Sequence, residues 1–216
     1  NPADFTINGN GGEDSVTTGS GNDTITTTTG NDMIAAGDGN NTVTAGDGTN
    51  AVTTGSGNDT ITTGDGADSV NSGGGDDIVN AGTGDDRVTP GGGSDSLTGG
   101  GGHDTFVFGS LADARLGADT IADFSTSNPW QAGEGDMLDL GGLVNDFSGV
   151  GDDSTLAQLV ASGHLNFSAS GGGTAISYDS NGSTCGGDVG TLVTLVGVPF
   201  SPEGAAAFAF GENILV

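Results

Sequence analysis

The sequence contains no lysine, and its 216 residues hold only two arginines, Arg87 and Arg115, against 29 acidic residues. A formal net charge of −27 at pH 7 excludes a nucleic-acid partner, because binding phosphate takes Lys and Arg in number. Cys185 is the single cysteine, so no internal disulfide forms, and that scarcity fits an exported chain stabilised by other means. No apolar run reaches the 18 residues of a membrane-spanning helix, and no amino-terminal secretory pattern is present. The catalytic signatures His-Glu-x-x-His and Gly-x-Ser-x-Gly are also missing. His103 and His164 read as surface residues, no nucleophile has an evident base, and the chain is not expected to be an enzyme.

What the sequence has in quantity is glycine, 45 residues, and it has it in register. Between Gly9 and Val107 run eleven consecutive nine-residue units without an insertion. Each has a glycine-rich half, then Asx, a variable residue, an apolar residue and another variable residue. The Asx positions are Asp14, Asp23, Asp32, Asn41, Asn50, Asp59, Asp68, Asp77, Asp86, Asp95 and Asp104. The apolar positions run from Val16, Ile25 and Ile34 to Leu97 and Phe106, and a glycine stands two residues before every Asx. A fixed short period of this kind marks a solenoid.

One unit can be read physically. A strand such as Thr24-Ile25-Thr26 turns its middle side chain to one face and its flanks to the other. The six residues before it, Thr18 to Asp23, are turn material, since glycine reaches the positive-φ conformations of tight bends. Two units make one coil, so alternate units stack, and their strands lie about 4.8 Å apart in two parallel sheets. Ile7, nine residues before Val16, adds a lead strand. The core is thin, and each Val- or Ile-sized side chain returns only about 1.5–3 kcal/mol. Ordering a glycine-rich backbone costs more than usual. A second source of cohesion is needed. Stacked bends bring carboxylates and glycine carbonyls together, and an oxygen-only site suits Ca²⁺. Without ions, self-repulsion should keep the chain apart, so binding and folding are coupled.

The unit resembles the RTX nonapeptide, Gly-Gly-x-Gly-x-Asp-x-apolar-x. The resemblance implies a mainly β fold: a right-handed parallel β-roll followed by a small mixed α/β carboxy-terminal cap. It also implies that each Ca²⁺ lies between loops eighteen residues apart, held by both Asx side chains and by main-chain carbonyls. Those carbonyls would belong to Gly19, Gly21, Gly55, Gly57, Gly64, Gly66, Gly73, Gly75, Gly82, Gly84, Gly91 and Gly93. One column would pair Asp14/Asp32, Asp32/Asn50, Asn50/Asp68, Asp68/Asp86 and Asp86/Asp104. The other would pair Asp23/Asn41, Asn41/Asp59, Asp59/Asp77 and Asp77/Asp95. Asp113 keeps the phase and would close a tenth site with Asp95, giving nine to ten ions. Sites touching Asn41 and Asn50 are expected to be weaker or empty. Asn10 and Thr28 replace the second glycine of their units.

The outward threonines Thr24/Thr26, Thr42/Thr44 and Thr60/Thr62 form a ladder that breaks at Ile78/Asn80. Such ladders resemble ice-binding faces, although threonine is also simply a good strand residue. After Val107 the period stops, and Thr105-Phe106-Val107-Phe108 is expected to begin a cap over the roll end. Asp119-Thr-Ile-Ala-Asp123-Phe and Gly135-Asp-Met-Leu-Asp-Leu140 resemble the segment after RTX repeats, which implies further Ca²⁺ ligation by Asp119 and Asp123. Trp130 lies in the intervening loop and is expected to pack over the cap.

A helix is expected over 153–163, capped by Asp153 or Ser154. Strands are expected around Leu165–Ala169, Ile176–Tyr178 and Thr191–Val198, and a short helix over 201–210. The division is a lead strand at 1–8, the roll at 9–113, a post-repeat segment at 114–152 and a carboxy-terminal region at 153–216. That last region resembles a type I secretion target region, so the partner implied is the type I export apparatus. The chain opens on Asn1 and is expected to be the carboxy-terminal, monomeric piece of a large secreted protein of a Gram-negative bacterium. An adhesin is the preferred parent, and a secreted protease, lipase or epimerase is the rival.

Overall fold

Each nine-residue unit folds into a bend and a short strand, and the strands alternate between two sheets. The computed structural model describes residues 3–114, 116–125, 135–144, 146–147, 156–179, 189–198 and 214–215. In the repeats the strands are β1 (Thr6–Gly11), β2 (Ser15–Thr17), β3 (Thr24–Thr29), β4 (Met33–Gly37), β5 (Thr42–Thr44) and β6 (Ala51–Thr54). They continue as β7 (Thr60–Thr62), β8 (Ser69–Asn71), β9 (Ile78–Thr83), β10 (Arg87–Thr89), β11 (Ser96–Gly101) and β12 (Thr105–Val107). Beyond them lie α1 (Leu111–Ala114), β13 (Asp119–Ile121), β14 (Met137–Asp139), α2 (Gly141–Val144) and α3 (Leu156–Ala161). The carboxy-terminal strands are β15 (Leu165–Ser170), β16 (Gly173–Asp179), β17 (Val189–Leu195) and β18 (Ile214–Leu215).

One sheet has the order β1-β3-β5-β7-β9-β11-β13-β17-β16-β15, the other β18-β14-β12-β10-β8-β6-β4-β2. Within the repeats every strand pairing is parallel and steps by eighteen residues, as in Thr42↔Thr60 and Val52↔Val70, apart from one-residue register shifts at Asn10↔Thr27 and Gly37↔Thr54. The result is a parallel β-solenoid with few helices.

All eleven apolar positions from Val16 to Phe106 are buried, and Ile7 packs against them half-buried. The core is wider than one residue per half-coil. A second inward column of small residues, four after each Asx, includes Thr27, Ala36, Ala45, Thr54, Thr63, Ser72 and Ala81, all buried. The period made these positions look like turn. Their hydroxyls donate along the stack to carbonyls eighteen residues on: Thr27 to Ala45 at 2.6 Å, Thr63 to Ala81, and Ser72 to Pro90 at 2.9 Å. Buried hydroxyls must find such partners, and here they stitch successive coils together.

The roll does not end at Val107. β12 is an ordinary rung with Phe106 in the core, and β14 pairs with it in parallel. β13 stacks on β11, β17 on β13 and β18 on β14. The expected cap is therefore displaced outward: the antiparallel hairpin β15–β16, turning at Gly171 and Gly172, lies against β17. Aromatic side chains join the core at these rungs. Phe106 meets Phe124 with ring centroids 6.3 Å apart.

On the outside, Thr6, Thr24, Thr42 and Thr60 pair in register, and exposed Ile78 follows Thr60 in the same column. Exposed Arg87 reaches half-buried Asp139 at 3.6 Å. The expected 153–163 helix is present as α3, whereas Asp153, Ser154, Trp130, Cys185 and the 201–210 helix lie outside the described residues. No helix among the described residues is long and apolar enough to cross a membrane.

Candidate metal centre

Every Asx sits where a glycine bend enters a strand, and the next coil fixes its backbone twice. The carbonyl of Asp59 accepts from the N–H of Ile78 at 2.9 Å, and its own N–H donates to Oδ1 of Asp77 at 2.8 Å. The same side-chain bond recurs at Asp14→Asp32, Asp68→Asp86, Asp77→Asp95 and Asp86→Asp104, at 2.8–3.0 Å. Two columns of carboxylates are thus held in the bends, and from Asp23 to Asp104 they are almost completely buried.

One oxygen of each carboxylate is occupied. The other is not. Oδ2 of Asp14, Asp23, Asp32, Asp59, Asp68, Asp77, Asp86, Asp95 and Asp104 is buried without a hydrogen-bond partner. Nine such atoms in one repeated position require an explanation, because an uncompensated buried charge is costly. The carboxylates respond accordingly. Burial first, and neighbouring carboxylates after it, push Asp77 and Asp104 up to about 7 and Asp86 up to about 6. Asp59 and Asp68 are also raised, by burial.

The two asparagines show what surrounds that second atom. Asn41 and Asn50 keep the Oδ1 role, accepting from the N–H of Asp23 and of Asp32 at 3.0 Å each. Their Nδ2 groups point into the bend. Asn41 donates to the carbonyls of Gly37 and Gly39 at 3.0 Å, and Asn50 to those of Gly46 and Gly48 at 2.9 and 3.2 Å. The second side-chain atom therefore lies between the carbonyls four and two residues back. In an aspartate bend with the same backbone, the second carboxylate oxygen would stand against two carbonyl oxygens, with the Thr54, Thr63 and Ser72 hydroxyls beside the Asp59, Asp68 and Asp77 carboxylates. Such an arrangement fits a hard cation. Among the described residues no three His, Cys, Asp or Glu side chains converge on one point, so a cation here would need carbonyl oxygens as well.

Glycine is required where bends stack. Gly75 has φ +131°, and a Cβ there would overlap the carbonyl oxygen of Gly57. Asn10 is the only non-glycine residue with positive φ among the described residues, at 64°, a conformation asparagine tolerates. The Thr28 hydroxyl donates to the Asn10 carbonyl at 2.7 Å.

The ladder outlasts the repeats. Asp95 N–H donates to Oδ1 of Asp119 at 2.9 Å, and Asp104 N–H to Oδ1 of Asp136 at 3.1 Å. Asp119, not Asp113, is therefore the rung above Asp95. Asp113 lies in α1 and accepts from the Ser110 hydroxyl at 2.7 Å, because the chain makes a six-residue detour before the next strand. Asp123 uses both oxygens on the N–H groups of Gly99 and Gly100, at 3.1 and 2.8 Å. Asp136 is a rung that the nine-residue frame passes over. Its signal was there, since Asp136-x-Leu138 and Gly117-x-Asp119-x-Ile121 repeat the unit's pattern out of phase. Burial pushes Asp119 up to about 8 and Asp136 up to about 6.

A parallel solenoid with buried carboxylates stacked in register along its bends is the frame of a metal-binding repeat module. The family described as "RTX calcium-binding nonapeptide repeat (4 copies)" matches residues 6–25, 17–52, 26–61, 53–88 and 80–114, together just over half of the chain. The chain belongs to this family, whose repeats bind calcium. Two solved structures are similar to it. One is the solution structure of the AlgE6R2 subunit from the Azotobacter vinelandii mannuronan C5-epimerase, with 26% identity and a TM-score of 0.44, covering 84% of this chain and 91% of that one. The other is the AlgE6R3 subunit of the same enzyme, with 28% identity and a TM-score of 0.44, covering 71% and 78%. A comparison with curated proteins finds no match.

Proposed function

We propose that this chain is a calcium-driven folding module near the carboxy terminus of a protein exported by a type I apparatus. The observation that carries this reading is the set of nine buried Oδ2 atoms without partners. Ca²⁺ supplies the missing positive charge in the two acidic columns and draws neighbouring bends together. Asp14, Asp23, Asp32, Asp59, Asp68, Asp77, Asp86, Asp95 and Asp104 serve as side-chain ligands, and Asp119 and Asp136 extend the columns beyond the repeats. Where calcium is scarce, a chain of net charge −27 repels itself and stays open. In a calcium-rich medium outside the cell it condenses, and condensation opposes backward sliding through the exporter. Circular dichroism tests the folding half: β signal should appear on adding Ca²⁺ and vanish with chelator, and a chelator-insensitive spectrum refutes it.

The export signal lies within 153–216, the region after the roll, and an adhesin is the parent favoured by the long threonine-rich repeat. A reporter fused ahead of 153–216 and co-expressed with a type I exporter should reach the medium, and retention in the cell refutes that assignment. A second reading, ice binding by the flat threonine face, draws support from the in-register Thr24, Thr42 and Thr60 rungs. Thermal hysteresis abolished by Thr42→Tyr supports it, and no hysteresis in the parent chain eliminates it.

A further inference from the structure

Asn41 and Asn50 interrupt the two acidic columns at consecutive half-coils, leading into β5 and β6. Together they span one complete turn of the roll. Asp14, Asp23 and Asp32 lie before that turn, and Asp59 through Asp104 after it. Neither asparagine is a loose-fitting aspartate. Each forms three hydrogen bonds that use both amide hydrogens: Oδ1 accepts one N–H from the preceding coil, and Nδ2 donates to two glycine carbonyls. The orientation is forced, because a flipped amide would set its oxygen against both carbonyls and its NH₂ against an N–H. Nine aspartates in the same role leave a buried oxygen without a partner; the two asparagines leave no buried side-chain atom unpaired.

We infer that the Asn41 and Asn50 amides take the place of calcium in their own bends, so that one turn of the solenoid is closed without an ion. The amide hydrogens supply to the Gly37, Gly39, Gly46 and Gly48 carbonyls the positive charge that a cation supplies elsewhere. The turn is neutral in both columns. It separates two ion-binding blocks and relieves the repulsion that an unbroken run of carboxylates would build up. Asparagine at these positions therefore specifies a closed bend and is not a weakened ligand.

The inference rests on the calcium reading of the aspartate bends, and one set of measurements separates the two. Native mass spectrometry at saturating Ca²⁺ counts bound ions in the wild-type chain, Asn41→Asp, Asn50→Asp and the double variant. Each single substitution should raise the count by at least one, and the double by at least two. Asp77→Asn should lower it by at least one. A wild-type chain without Ca²⁺ would refute the calcium reading itself. A wild-type chain that binds Ca²⁺, with Asn41→Asp and Asn50→Asp at the same count, would overturn this inference alone. A second measurement needs no variant: in the calcium-loaded protein the Asn41 and Asn50 side-chain NH₂ protons should exchange at least tenfold more slowly than those of exposed Asn22 and Asn58. Equal exchange rates would overturn the inference.

Discussion

The main-chain N–H of Asp95 donates to Oδ1 of Asp119 at 2.9 Å, across 24 residues where every rung before it in that column spans 18. The column absorbs an insertion and continues. What the fold preserves is the bond, not the spacing, because a buried N–H at the mouth of a strand must be paired.

Asp119→Ala should therefore destabilise the calcium-loaded protein by about 1–3 kcal/mol, since it strips a partner from a buried donor. Asp113→Ala, which removes only a local link to Ser110, should cost less than about 0.5 kcal/mol. Denaturant unfolding in Ca²⁺ measures both, and a reversed order would put the junction rung at Asp113.

Acidity should act with opposite sign in the presence and absence of the ion. Asp77, Asp86, Asp104, Asp119 and Asp136 stand at about 6 to 8 in the ion-free fold, against an ordinary 3.8. A raised folded-state value means the protonated form favours the fold. That stabilisation is complete below the unfolded value and is lost as pH rises through 6 to 8. Calcium-depleted chain should thus show more β signal at pH 4.5 than at pH 8. With limiting Ca²⁺ the trend should invert, since protons compete for the same oxygens and apparent affinity falls below pH 7. Circular dichroism across pH, with and without the ion, distinguishes the two limbs.

Two adjacent glycines should respond differently to a methyl group. Gly75→Ala forces a side chain onto a positive φ and into the Gly57 carbonyl, so a loss of about 2 kcal/mol or more is expected. At Gly74 the nearest atom to an added Cβ is the Gly92 carbonyl oxygen at 3.7 Å, an ordinary contact, and Gly74→Ala should be nearly neutral. Thermal unfolding of the pair in Ca²⁺ is the check.

Inside and outside positions of neighbouring rungs should separate as cleanly. Ile61 is fully buried, and Ile61→Ala should cost about 2–5 kcal/mol by leaving a cavity in a narrow core. Ile78 is 56% exposed in the threonine column. Ile78→Thr should change stability by less than about 0.5 kcal/mol, as chemical denaturation can establish.

Much of this was legible because each coil contacts only its neighbours. The Asp-x-apolar rhythm names the ladder residues, the buried Val and Ile column and the pairing of alternate units without reference to distant chain. What escaped the rhythm were functions that share a residue type with something else. Thr54, Thr63 and Ser72 look like turn polar residues, yet they are buried and bonded along the stack. Asp119 and Asp136 carry the right local pattern at spacings of 24 and 32, which a nine-residue frame passes over.

The sequence alone determined a parallel solenoid, its period, and an acidic column that calls for a cation, because local repetition dictates nearest-neighbour stacking. Only the tertiary structure decided which oxygen of each aspartate is already bonded, and that Asn41 and Asn50 leave none to spare. It also decided that the two sheets run on through β13, β14, β17 and β18. Those outcomes depend on where a second chain segment lies, and side-chain atoms eighteen or more residues apart meet only once the coil has closed.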